Sequence, residues 1–220
     1  MRAMILAAGA GERMRPLTED TPKPLLKAGG RMLIEFHLEK IAAAGIKEVV
    51  INHARMGALI EASVGDGGRW GLRVRYSAEG DQALETGGGV RQALPLLGSA
   101  PFLLVNADVW SELDYRSLPT EPAGLAHLVL VPSPPHHAEG DFSLIEGRVG
   151  LDGPQRYTYS GIGVYRQELF DETEPGRFPL APLLRHAASQ GLVSGELFSG
   201  KWLDIGTAAR LEALKTYLAG

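Results

Sequence analysis

The stretch GAGERMRPLTEDTPKPLL, from Gly9 to Leu26, follows directly on the apolar run Arg2–Ala8, and its reading decides the fold. A glycine pair behind a buried strand leaves backbone N–H groups open to phosphate oxygens that side chains would otherwise block. The dinucleotide fingerprint needs G-x-G-x-x-G running straight into a helix, so that the pyrophosphate rests on the helix N-terminus. Gly9 and Gly11 fit, but Met14 stands at the third glycine, and Pro16, Pro22 and Pro24 forbid a continuous helix. The other common phosphate loop requires Gly-Lys-Ser/Thr after four intervening residues, and nothing here matches it. What remains is an extended loop able to wrap a polyphosphate, with Arg13, Arg15 and Lys23 supplying positive charge. Pro22 and Pro24 hold the Lys23 backbone rigid, which suits a lysine aimed at a phosphorus centre. A surface loop with scattered charge is the plainer alternative. The glycines, the clustered cations and the place after the first strand together weigh against it.

The rest of the chain supports a strand-and-helix frame for that loop. Its 220 residues, 45% apolar and 22% charged, suffice for one well-packed domain. A net charge of −4 argues against a nucleic-acid surface while leaving room for a local basic site. With no cysteine, disulfides and thiolate metal sites are excluded. Runs such as AMILAA and FLLV are too short to span a bilayer, and the N-terminus lacks the form of a signal peptide, so a cytoplasmic protein is expected.

RAMILAA, KEVVINH and FLLVNAD read as buried strands, and GLRVRYSAE alternates with period two. Between them, RMLIEFHLEKIAAAG carries Ile34, Leu38 and Ile41 on one helical face and stops at Gly45, RMGALIEASVG is a short helix, and GGGVRQALPLLG starts another. Such alternation predicts an α/β fold with a Rossmann-like, doubly wound, mainly parallel sheet flanked by helices. Ligands in such sheets sit beyond the carboxyl ends of the strands, where Gly9–Gly11, Asn106 and Asp108 fall. In the second half LAHLVLVPSPP, GDFSLIEGRV and YTYSGIGVY predict a meander of strands. A helix over FPLAPLLRHAASQG, a strand LVSGELFS and a terminal helix capped by Thr207 follow.

Asp108 lies just past an apolar strand and Asp204 just ahead of the last helix. Mg²⁺ takes oxygen ligands, commonly one or two carboxylates with substrate phosphates and water, so two such acids can share one ion. Singly, Asp204 could instead stabilise the positive end of the helix, and Asp108 could be a turn acid. Gln82 can donate to and accept from a pyrimidine edge, while Gly87 and Gly88 permit a base to lie flat on the backbone. A flexible loop leading into a helix explains the same residues equally well. Asn106 can bond a sugar hydroxyl. His136 and His137, adjacent in a proline-rich turn, are expected to face solvent, and Trp202 to pack beside Asp204.

LAAGAGERMRPLTEDTPKPLL resembles the signature of the sugar-1-phosphate nucleotidylyltransferases, L-A-G-G-x-G-T-R-L-x-P-L-T followed by P-K-P-L. Ala10 and Glu12 depart from it, while Arg13, Pro16-Leu17-Thr18 and Pro22-Lys23-Pro24 hold. The likeness continues at ETGGGV, VNAD, YSGIGVY and WLDIGT, across nearly the whole chain.

The resemblance implies one domain over 1–220, with a nucleotide-binding half (1–110), a sugar-binding half (111–220) and no C-terminal extension domain. It implies that Arg13, Lys23, Asp108 and Asp204 are catalytic, with Mg²⁺ as cofactor on Asp108 and Asp204. Ala8, Gly9, Gly11, Glu12, Arg13, Lys23, Gln82, Gly87 and Gly88 would contact the nucleotide. The sugar would be met by Asn106, Asp141 and Ser160. Within the family the chain is most similar to compact members of the bacterial cell-wall recycling route. This implies UTP and N-acetylmuramic acid α-1-phosphate as substrates, pyrophosphate as a product, and a monomer or weak dimer without nucleic-acid or membrane partners. Glucose-1-phosphate and mannose-1-phosphate transferases, and a silent nucleotide-sensing subunit, are the rival readings; the presence of Lys23, Asp108 and Asp204 favours an enzyme.

Overall fold

The structure, a computed structural model, describes residues 1–220. Thirteen strands and five α-helices follow in chain order. The first half holds β1 (Arg2–Leu6), β2 (Lys27–Ala28), β3 (Arg31–Met32), α1 (Leu33–Ala43), β4 (Glu48–His53), α2 (Gly57–Val64), β5 (Arg73–Ala78), α3 (Glu85–Leu97), β6 (Phe102–Asn106) and β7 (Val109–Ser111). The second half holds β8 (Ala126–Val131), β9 (Phe142–Ile145), β10 (Arg148–Gly150), β11 (Arg156–Tyr165), α4 (Ala181–Ser189), β12 (Val193–Leu197), β13 (Trp202–Asp204) and α5 (Ala208–Ala219). No helix is long and apolar enough to cross a membrane.

Nine strands form one sheet in the order β5-β4-β1-β6-β11-β8-β12-β10-β9. From β5 to β6 every pairing is parallel, as the strand–helix alternation predicts. Consecutive residues of β1 point to opposite faces: Ala3 and Ile5 enter one core with Ile34, Leu38 and Ile41 of α1, while Met4 enters a second with Val90 and Ala93 of α3. Both faces are therefore buried, which is why the strand is continuously apolar.

The second half departs from a meander. Strand β11 runs antiparallel between β6 and β8, but β12 returns through α4 to lie parallel to β8, inserted between β8 and the β9–β10 hairpin. Helix α3 starts at Glu85, two residues before the glycine triplet, and Glu85 itself has φ of +61°. Thr207 caps α5 as expected, its hydroxyl accepting from the Arg210 N–H.

A third core explains the glycine loop. Met14, at the position of the missing third glycine, is 1% exposed and packs among Leu26, Leu33, Phe36, Trp110, Ile205 and Leu211. Full burial of a methionine side chain contributes roughly 2 kcal/mol. The loop is thus anchored by an apolar side chain rather than continued as a helix. It is not uniformly extended either: short 3₁₀ turns occupy Glu12–Met14 and Lys23–Leu25.

Candidate active site

The carboxyl ends of β1, β4 and β6 deliver the first residues of the cleft. Beyond β1, the Ala7 N–H donates to Asn52 Oδ1 over 2.8 Å, and Asn52 Nδ2 donates to Glu79 Oε1 over 2.6 Å. Glu79 Oε2 in turn accepts from the Leu84 N–H at 2.6 Å, so this chain fixes the loop ahead of α3. Gly89 makes it possible, since a Cβ there would stand 2.5 Å from Glu79 Oε1 and 2.6 Å from Asn52 Nδ2. Ala7, Ala8, Gly9, Asn52, Ala83 and Thr86 line the resulting pocket, which opens on Lys23 and Asp108.

Next to it a second hollow is lined by Gly9, Gly11, Glu12, Arg13, Lys23 and Asp108, all six nominated by the sequence. Gly11 turns the loop with φ of +67°, a conformation costly for residues with a Cβ, and its carbonyl accepts from the buried Thr18 hydroxyl at 2.8 Å. Lys23 is held between its prolines at the start of a 3₁₀ turn, with its side chain 10% exposed and Nζ 2.6 Å from Asp108 Oδ2.

The two aspartates meet through a short ladder. Strand β13 pairs antiparallel with β7, placing Asp204 opposite Val109, and the Ile205 N–H donates to the Asp108 carbonyl over 2.7 Å. Asp204 is engaged by Arg210 of α5 in an ion pair, receives the Gly206 N–H at 3.3 Å, and has His136 Nε2 3.8 Å away. Arg13 converges on the same place: a Cβ at Gly206 would stand 3.1 Å from Arg210 Nη1 and 3.6 Å from Arg13 Nη2. Desolvation, then the charges of Arg210, His137 and Arg13, lower the His136 pKa, leaving this imidazole neutral at pH 7. No group of three or more His, Cys, Asp or Glu side chains converges anywhere. A cation at this site would therefore have two hard carboxylates from the chain and take its other ligands from substrate and water, which fits Mg²⁺.

On the other side of Asn106 the bulge in β11 shapes the wall. Register with β8 shifts between Tyr159 and Gly163, and Gly161 adopts φ of +79°. A Cβ at Gly161 would fall 2.7 Å from Asn106 Nδ2, so the glycine lets Asn106 turn into the cleft. The bulge aims the Ser160 carbonyl at Trp202 Nε1, which donates over 3.0 Å, while the Ser160 hydroxyl accepts from the Ile162 N–H. Trp202 therefore lines the cleft as well as packing beside Asp204. Asp141 accepts from the Tyr159 N–H at 2.9 Å and contacts His137 Nε2 at 3.0 Å.

Of the residues nominated from the sequence, Ala8, Gly9, Gly11, Glu12, Arg13, Lys23, Asn106, Asp108, Asp141, Ser160 and Asp204 all line this connected cleft. Gln82 is exposed and does not join it. Gly87 and Gly88 are packed against the Gly176–Phe178 segment, where a Cβ would stand 2.4 Å from the Phe178 ring and 2.1 Å from the Gly176 carbonyl, respectively. Their N–H groups both donate to the Phe178 carbonyl. His136 and His137 face solvent as expected, with side chains 42% and 43% exposed, but the turn also borders the cleft and brings them near Asp204 and Asp141. Asn52 was signalled by the rule that nominated Asn106, since both sit at the carboxyl end of a parallel strand. Arg210, by contrast, carries no local signal.

A profile of the family described as Nucleotidyl transferase matches residues 2–219. The chain is 49% identical to N-acetylmuramate alpha-1-phosphate uridylyltransferase of Neisseria meningitidis serogroup B, over 100% of this chain and 99% of the relative. Its identity to the enzyme of the same name from Caulobacter vibrioides is 33%, over 99% of this chain and 96% of that one. The fold matches the crystal structure of a putative glucose-1-phosphate thymidylyltransferase from Bacillus anthracis with a TM-score of 0.85, at 21% identity and over 99% and 95% of the two chains. With the wrapping loop, the paired aspartates and a family match from end to end, the chain belongs to the nucleotidyl transferase family.

Proposed function

We propose that the protein transfers the uridylyl group of UTP to N-acetylmuramic acid α-1-phosphate, releasing pyrophosphate and giving UDP-N-acetylmuramate for cell-wall (peptidoglycan) recycling in the cytoplasm. The observation that carries nucleotidyl transfer is the convergence of Lys23 on Asp108, with Asp204 joined to the same backbone by the β7–β13 ladder. The choice of uridylyl and muramyl groups is supported by the end-to-end likeness to the meningococcal enzyme.

In this reaction an oxygen of the sugar phosphate attacks the α-phosphorus. A new P–O bond forms to the sugar phosphate while the bond to the β-phosphate bridging oxygen breaks, and that electron pair leaves with pyrophosphate. A phosphate monoester is largely dianionic at neutral pH, so no side chain has to remove a proton. The task left to the protein is to bring two anions together and stabilise the charge that moves between them.

Lys23 is placed for the α-phosphate, where its ammonium offsets charge as the entering and leaving oxygens share the phosphorus. The Gly9 and Gly11 backbone and Arg13 receive the departing pyrophosphate. Asn106 and Asp141 hold sugar hydroxyls, and the Asn52–Glu79 pair keeps the nucleoside pocket open. Asp108 and Asp204 would hold Mg²⁺, which when bound neutralises phosphate charge and aligns the two phosphates. A panel of nucleoside triphosphates against sugar 1-phosphates, scored by pyrophosphate release with and without Mg²⁺, tests this. The best pair is expected to be UTP with N-acetylmuramic acid α-1-phosphate, silent in EDTA; release with glucose 1-phosphate alone would refute the muramyl assignment.

A further inference from the structure

A recess opens from the cleft on the side away from the loop, bordered by Asn106, Asp141 and Tyr159. Its far wall is one face of α4 and the strand facing it: Leu180, Leu184 and Phe142 are apolar, and Arg185 stands at their rim. The Arg185 guanidinium has no carboxylate within 4 Å and makes no hydrogen bond, and its Cζ lies 6.0 Å from the centroid of the Phe142 ring. Asp141, the one acid of the recess, is already engaged by the Tyr159 N–H and by His137, so it does not compete for that cation.

An apolar wall ending in an unpaired guanidinium is an odd border for a sugar pocket, because a neutral hexose offers it nothing. It suits a short branched substituent carrying both a methyl group and a carboxylate. A lactyl ether has both.

We propose that Arg185 is the specificity-determining residue of this enzyme, binding the lactyl carboxylate while Phe142, Leu180 and Leu184 receive the lactyl methyl. This rests on the muramyl reading above. A planar guanidinium can hold a carboxylate through two parallel hydrogen bonds, and charged hydrogen bonds of this kind are the strong ones. A sugar 1-phosphate lacking the ether leaves the cation unpaired, so selection comes from this recess rather than from the phosphate end.

The test compares N-acetylmuramic acid α-1-phosphate with N-acetylglucosamine α-1-phosphate, which differ only by the lactyl ether. Wild-type protein is expected to prefer the first. Arg185→Gln should reduce that preference, measured as the ratio of the two kcat/KM values, by about 10- to 100-fold, mainly through KM for the muramyl substrate. Arg185→Lys should recover part of it, and the exposed position predicts an unchanged melting temperature. If wild type prefers the muramyl substrate and Arg185→Gln keeps the ratio, or lowers both kcat/KM values equally, the assignment of Arg185 is overturned while the muramyl reading stands. A wild type that shows no such preference overturns both.

Discussion

Lys23 Nζ lies 2.6 Å from Asp108 Oδ2, and the lysine is the more buried partner, with its side chain 10% exposed against 39% for the aspartate. Two acidic residues of the cleft are each matched by a cation of the chain: Asp108 by Lys23 and Asp204 by Arg210. Phosphates and a metal ion entering here would re-partner these two pairs rather than meet bare charges. Such an arrangement is consistent with a chain of net charge −4 that handles two anionic substrates.

Replacing Lys23 by methionine keeps the apolar stem and removes the ammonium. If the ammonium stabilises charge at the α-phosphorus, kcat should fall by about 10²- to 10³-fold, the usual loss for one such donor. UTP affinity, measured by calorimetry, should change much less.

Asp108→Asn and Asp204→Asn keep shape and remove charge. Each should raise the Mg²⁺ concentration needed for half-maximal rate by at least about tenfold, and together they should reduce Mn²⁺ binding in the presence of UTP to that of UTP alone. Spin-resonance titration of free Mn²⁺ measures this directly.

Arg210 occupies the carboxylate that the metal would need. Arg210→Gln is therefore expected to tighten Mn²⁺ binding to nucleotide-free protein severalfold, while the wild type binds the ion well only with UTP present. Unchanged binding would show that the Arg210 pair does not compete with the metal.

His37 is buried under the cleft, with Nδ1 2.8 Å from the Tyr115 hydroxyl. Desolvation, helped by the Lys40 charge, lowers its pKa to about 4, against the partial opposition of the Val109 backbone and Asp108. The folded protein holds this ring neutral, whereas the unfolded chain takes up a proton below about 6.5. The contribution is thus fully present above that pH, is lost as pH falls from about 6.5 to about 4, and levels off below. Its full size is on the order of 3 kcal/mol. Urea denaturation across this range should show the decline, and His37→Gln should flatten it.

Gly89→Ala would press a methyl group onto the Asn52–Glu79 hydrogen bond. Breaking that bond leaves buried polar groups unpaired, at a cost of about 1–3 kcal/mol. The melting temperature should drop and KM for UTP should rise, with kcat less affected.

The parallel half of the sheet is legible in the sequence because β1, β4 and β6 carry continuous apolar runs, β5 alternates with period two, and each intervening helix carries its own stop. The loop is legible for a related reason: Met14 and the prolines are chemically incompatible with the familiar glycine motifs. What escapes a linear reading depends on distant partners. Nothing in LVSGELFS tells that β12 will insert beside β8, because that pairing is chosen by the α4 crossover and the β9–β10 hairpin. His136 and His137 have the local signature of a solvated turn, and only the closure of that turn over β11 brings them to Asp204 and Asp141. Gly87 and Gly88 read as a platform for a base, yet the reason for their small size that the structure supplies is the close approach of Phe178 and Gly176.

The central claim is that this cleft joins a sugar phosphate to the α-phosphorus of UTP. Phosphorus NMR of purified protein with UTP, Mg²⁺ and N-acetylmuramic acid α-1-phosphate follows every reactant and product at once. The expected result is loss of UTP and sugar phosphate with equal growth of a UDP-sugar and pyrophosphate, and none of this with Lys23→Met on the same timescale. Unchanged UTP, or orthophosphate in place of pyrophosphate, would contradict it.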